Sequence, residues 1–302
     1  MFTIPAKYTD GVNIAFIILT CLLSHLFPYH LFLFSYAVLG PAHYLTQISW
    51  MHDRRYFAES ALLAPAMWVL SFLVILLIAS SNEHTMLAQG VILSVSVGLA
   101  LFFILPNDKM VRRLGIAAGV SLCALAACWP SLSLFIAAFL PTILHVFVFT
   151  AAFMWLGAMK TRKKSAYASL VILLLCAATF FIPVADTTVA PDLEGVRLFK
   201  PAVAFIQKLL GISSVAETQL FGFLSFAYTY HYLNWFSKAE IIHWNKIPRR
   251  RVGAIILIYV FTLSVYAYDY TLGFLLIVLL SLAHVLLELP LNLRTFAALA
   301  RR

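Results

Sequence analysis

Apolar residues run through this chain in long blocks separated by short polar knots. Blocks of roughly 17 to 25 residues have the length that crosses a bilayer as a helix. Ten such runs predict transmembrane helices, over residues 12–27, 30–51, 60–80, 86–106, 114–129, 132–159, 165–184, 219–237, 252–268 and 271–293. The stretch from Gly11 to Gly40 is almost unbroken. Pro28 supplies the cut, because proline ends or kinks a helix. Lys7 and the apolar run from Val12 resemble a signal peptide, but no small-residue cleavage site follows, so the run is read as the first span.

The basic residues give the runs a direction. With the N-terminus cytoplasmic, all of the 21 Lys and Arg residues except Arg197, Lys200 and Lys208 fall on the cytoplasmic side. That side collects Lys7, Arg54, Arg55, Lys160 and Lys238, the triplet Arg249–Arg251, and Arg301 and Arg302. Such asymmetry follows the positive-inside rule and degrades if one span is miscounted. The expected fold is an all-α, polytopic transmembrane bundle of about ten helices. It forms one integral membrane domain over 1–302, with both ends cytoplasmic, in a bacterial cytoplasmic (inner) membrane. The external loop 185–218 is the only sizeable segment off the membrane. Within it Val196, Phe199, Val203, Ile206 and Leu210 recur at helical spacing, with Arg197, Lys200 and Lys208 opposite, which predicts a short amphipathic helix on the outer surface.

Composition agrees. Of the 302 residues, 63% are hydrophobic and 11% charged, against roughly 25% charged in a soluble domain. The net charge of +9 lies in short clusters between apolar runs; it orients helices and does not call for nucleic acid. Cys21, Cys123, Cys128 and Cys176 all lie inside apolar runs without a CxxC pair, and read as small buried hydrophobes.

Four histidines stand out against this background. His43, His145, His231 and His284 lie thirteen or fourteen positions in from the outer ends of the second, sixth, eighth and tenth runs, all oriented alike. At about 1.5 Å per residue this places every imidazole about 20 Å from the outer boundary of a core about 30 Å thick. Polar side chains are costly at that depth, so four together point to a site. Imidazoles in apolar surroundings suit iron, copper, zinc or nickel and argue against magnesium or calcium. Glu288 follows His284 by one helical turn, and Gln47 follows His43 likewise. Both are candidates for the outer partners that orient ligating histidines. Glu288 orients His284, relays protons or is itself a ligand; the three readings stay open. Aromatic residues including Phe226, Tyr228, Tyr230, Tyr232 and Trp235 crowd His231 and either line a substrate channel or pack.

The motif Gly40-Pro41-Ala42-His43 with Gln47 resembles the Gly-x-Pro-His-x-x-x-Asp signature of the bacterial and archaeal membrane β-carotene dioxygenases. Leu144-His145-Val146-Phe147 is similar to that family's second histidine helix. Tyr230-His231-Tyr232-Leu233-Asn234-Trp235 resembles the third, and Ala283-His284-Val285-Leu286-Leu287-Glu288 the closing one. The sequence departs in having Gln47 at the aspartate position and Ala227 or Trp235 where the third motif carries a partner histidine. The resemblance implies a histidine-held non-haem iron(II) centre, or another transition metal, activating dioxygen on a lipophilic, carotenoid-like substrate. Its candidate ligands are His43, His145, His231 and His284, with Glu288, Tyr228 and Tyr230 as candidate catalytic side chains and Gln47 behind them. Membrane lipids surround it, and a soluble electron donor could dock on the basic cytoplasmic face. The competing reading is a proton- or metal-coupled transporter using the same His/Glu cluster; a bis-histidine haem protein is a third.

Overall fold

The computed structural model describes residue 5 and residues 8–54, 62–80, 85–104, 109–182, 191–209, 211–212, 215–243 and 246–300. Lys7, Arg55, Arg301, Arg302 and the first part of the 185–218 loop lie outside these residues. Among the described residues the chain is helical, without strands. The helices are α1 (Thr9–Leu26), α2 (Pro28–Phe34), α3 (Gly40–Asp53), α4 (Leu63–Ala79), α5 (Thr85–Ile104), α6 (Lys109–Cys128) and α7 (Pro130–Phe139). They continue with α8 (Phe149–Thr161), α9 (Lys164–Thr179), α10 (Glu194–Leu209), α11 (Glu217–Ser237), α12 (Ala239–Ile242), α13 (Arg249–Tyr268) and α14 (Tyr270–Ala300).

Most of the described residues of each predicted run are helical. By length and composition, α1, Leu140–Thr161, α13 and Tyr270–Leu299 can cross a membrane, and a fifth candidate is α6 with α7, bent by 109° at Pro130. Among the described residues the remaining runs are shorter or interrupted, except α11, which is unbroken over 21 residues but too rich in polar side chains to count by composition. Proline explains the interruptions. Pro28 and Pro130 each open a helix, where a missing N–H costs nothing. Pro41 and Pro141 instead sit at π-helical segments, Ser35–Leu39 just before Gly40-Pro41 and Leu140–Val148 around Pro141. A ring that lacks its N–H donor loosens the ladder there, and π segments recur at functional sites. His43 follows the first of these segments and His145 lies within the second.

The chain divides into two compact units. The first comprises residues 1–46 and 143–273. Its centre is α11, buried on nearly every side from Leu220 to Tyr232. It packs on α1, α2 and the first π segment, with α9 behind α1 and α8 against α9. Hydroxyl pairs stitch these helices: Ser24 to Ser225 at 3.3 Å, Ser35 to Thr229 at 2.5 Å and Tyr29 to Thr218 at 2.9 Å. The approach of α1 and α11 depends on Gly222. A Cβ there would stand 3.0 Å from the Phe180 ring and 3.3 Å from the Ser24 carbonyl oxygen. Gly222→Leu is expected to destabilise the protein by about 1–3 kcal/mol, as overpacking does. A lowered Tm of the detergent-purified protein is the measurement, and an unchanged Tm would show that the helices can separate there without cost.

The predicted loop helix is α10. Its Val196, Val203 and Ile206 are buried, and Phe199 stands edge-on to Phe32 and Tyr36 with centroids 4.9 and 5.0 Å away. Its apolar face is therefore spent on α2, the first π segment and α11. Its charges pair outward, Arg197 with Asp192 and Lys200 with Glu217, each at 3.4 Å.

The second unit comprises residues 47–142 and 274–302. Within it α5 packs on α4, α6 and α7. Gly98 and Gly119 meet back to back, a Cβ on Gly119 falling 3.0 Å from the Gly98 Cα. Small residues allow such close backbone crossings in membrane helices.

Candidate metal centre

In the first unit three of the predicted histidines gather around α11. His231 points its Nε2 at the Nε2 of His43, 3.1 Å away. Its ring also lies against that of His145, with centroids 5.3 Å apart. His43 and His145 are each 1% exposed and His231 9%.

The protonation of His231 follows from its other nitrogen. Nδ1 stands 2.7 Å from the Thr150 hydroxyl oxygen. That hydroxyl already donates its proton to the Val146 carbonyl at 2.7 Å. The threonine oxygen can therefore only accept, so His231 Nδ1 carries the hydrogen and Nε2 carries the lone pair. A ligating histidine is usually held in this way, its second nitrogen donating to a fixed acceptor. Val146 sits in the second π segment and Thr150 in the first turn of α8 after it, so this irregular backbone positions the acceptor.

Aromatic side chains close the site on the other flank. Tyr232 lies 4.9 Å from the His43 ring, and its hydroxyl bonds that of Tyr44 at 2.6 Å. The Trp235 indole stands edge-on to His43 and donates to the Thr46 hydroxyl at 3.1 Å. Tyr228 and Tyr230 lie elsewhere. Tyr228 packs edge-on against Phe32 and Tyr232, and the Tyr230 hydroxyl donates to the Met154 sulfur at 3.3 Å. Tyr228 and Tyr232 share a face of α11 one turn apart, and Tyr232 is the one that stands beside His43.

In the second unit His284 is 1% exposed and Glu288 4%. The His284 Nδ1 stands 2.9 Å from the Ser281 carbonyl, which can only accept, so this imidazole too has its hydrogen on Nδ1. The orienting acceptor is thus Ser281. Glu288 lies on the Nε2 side, its Oε2 3.8 Å from that nitrogen. A lone-pair nitrogen facing a carboxylate oxygen at this range is an arrangement that a cation between them relieves. Gln47, buried in the same unit, lies beside the Glu288 carboxyl group. These buried histidine and glutamate side chains could hold a metal ion.

Sequence reasoning missed Thr150, Ser281 and the Tyr44–Tyr232 pair. Ser281 was open to discovery, since it precedes His284 by three residues on one helix. Nothing in the sequence marks Thr150 or the tyrosine pair, whose roles depend on how separate helices are rotated. No protein-family model, curated protein or solved structure matches this chain. The likeness to the membrane β-carotene dioxygenases therefore rests on the histidine motifs alone.

Proposed function

We propose that this chain is a membrane-embedded, histidine-ligated non-haem iron oxygenase acting on a lipophilic substrate, in a ten-helix topology with both ends on the basic, cytoplasmic side. The observation that carries the reading is the pairing of His231 and His43. Two nitrogens each about 2.1 Å from one ion, at roughly a right angle, stand about 3.0 Å apart. The two Nε2 atoms are 3.1 Å apart, and that of His231 bears its lone pair. His145 is the third imidazole of the set. The equal depth of His284 in the sequence is what extends the ligand set to it.

Bound iron(II) would supply dioxygen activation. The chain's own part is to hold His231 and His284 each with the hydrogen on Nδ1 and to keep bulk water from the imidazoles. The aromatic rings of Tyr232, Trp235 and Phe236 stand around His43. Such a wall suits a carotenoid-like or other apolar substrate entering from the lipid.

Elemental analysis of the detergent-purified protein, with its absorption spectrum, tests the reading. Iron near one equivalent per chain and no Soret band are expected. A metal-free wild type overturns the proposal, and a Soret band favours a haem protein instead. Given the departures at Gln47 and at the third motif, β-carotene in a carotenoid-producing host should bleach weakly at most.

One observation favours the transporter reading. Along α14, His284, Glu288 and Asn292 follow at four-residue spacing, and Asn292 is fully buried, neither amide atom finding a hydrogen bond among the described residues. A polar stripe of this kind needs water to satisfy it. Proton flux in liposomes that is lost in Asn292→Leu, with no metal bound, would favour the transporter over the oxygenase.

A further inference from the structure

We propose that the first unit holds an anionic phosphate headgroup bearing a hydroxyl donor, in a cavity at the C-terminal end of α11. The cavity measures about 390 Å³ and is lined by α1, α8, α9, α11 and α12. Its polar lining includes Asp10, Asn13, Lys160, Asn234 and Lys238. Lys238 and Asn234 lie on the face of α11 that carries His231, and Lys238 sits about 10 Å further along the axis.

Among the described residues, two of these groups have needs left unmet. The first is the Lys238 ammonium. It is largely withdrawn from water, and no ion pair joins it to a carboxylate among the described residues. Burial pulls it down to about 8 from its ordinary value near 10.5, against the opposing pull of Asp10. It is still charged at neutral pH, so it seeks an anion. The second is Asn234, 8% exposed, whose Oδ1 has no hydrogen-bond partner. A buried acceptor without a partner costs about 1–3 kcal/mol, which a ligand donor would recover.

The other polar groups are occupied or supporting. Asn13 donates to the Thr9 carbonyl at 2.9 Å and accepts from Ser237 at 3.1 Å, so it is structural. Asp10 accepts the Ser165 hydroxyl at 2.6 Å. Lys160 is exposed at the rim and, with Lys238, leaves the lining net positive.

The ligand that answers both needs carries a negative charge and a hydroxyl within a few ångströms of each other. Phe153, Leu156 and Ile242 supply apolar wall for the carbons beside it. A glycerol-phosphate headgroup has this chemistry, whether attached to a lipid or free. Basic pockets among helices at a membrane surface recognise lipid headgroups in this way.

The test measures binding to the full chain in detergent, using phosphatidylglycerol, phosphatidylcholine and glycerol 3-phosphate as probes. Phosphatidylglycerol is expected to bind at least about tenfold more tightly than phosphatidylcholine. Lys238→Gln should weaken it about ten- to a hundredfold, the loss of a contact to a charged group. Competition by glycerol 3-phosphate at similar concentration would assign the site to a free phosphate; failure to compete would assign it to the lipid. Equal binding of the two lipids, or unchanged phosphatidylglycerol affinity in Lys238→Gln, overturns the proposal. Should that variant not fold, Lys160→Gln at the rim serves, with an expected loss of about fivefold; unchanged affinity there overturns it equally.

Discussion

Purified His231→Ala is expected to lose its metal, with affinity lowered by more than about a hundredfold. Loss of an outer partner alone typically costs 10–100-fold, and this change removes a ligand. His231 is the side chain through which the three imidazoles of the first unit meet, its Nε2 facing His43 and its ring facing His145. The measurement is metal content per chain after dialysis against a weak chelator, beside the wild type. Helicity by circular dichroism guards against misfolding. The alanine leaves a small gap in a tightly packed aromatic helix, so a modest fall in Tm should accompany the metal loss. Full metal retention in a folded His231→Ala protein would move the metal away from this cluster.

Thr150→Val is expected to weaken metal binding by about 10–100-fold while leaving every imidazole in place. Valine keeps the volume of threonine and removes the oxygen that accepts from His231 Nδ1. The imidazole is then free to carry its hydrogen on Nε2, the nitrogen that must stay bare. Thr150 is therefore a positioning residue, and rescue by the conservative variant is the discriminating readout. Thr150→Ser restores the oxygen and should recover most of the affinity. If valine and serine behave alike, packing explains the effect and the tautomer argument fails.

Much of the helical layout was legible before any coordinates. A segment in lipid must satisfy its own backbone groups, so apolar length is enough to call for a helix. The runs around Val12, Leu132 and Thr271 meet helices long enough to cross. The amphipathic spacing from Val196 to Ile206 is α10. Pro28 marked a helix break in the sequence, because its missing N–H is visible there, and the structure adds breaks or widenings at Pro41, Pro130 and Pro141. The residue types of the site were legible too, since imidazole and carboxylate are rare and expensive in hydrocarbon.

What the sequence determined by itself is therefore the helices and their approximate ends, which follow from counting residues along a rod of known rise. Only the tertiary structure decided which way each rod is turned. It set His43 against His231, gave Thr150 and Ser281 the task of fixing tautomers, and put Tyr232 rather than Tyr228 or Tyr230 beside the imidazoles. In α11, which is buried nearly all round and carries polar side chains on more than one side, the sequence does not announce the rotation, and packing against α1, α2 and the first π segment chooses it.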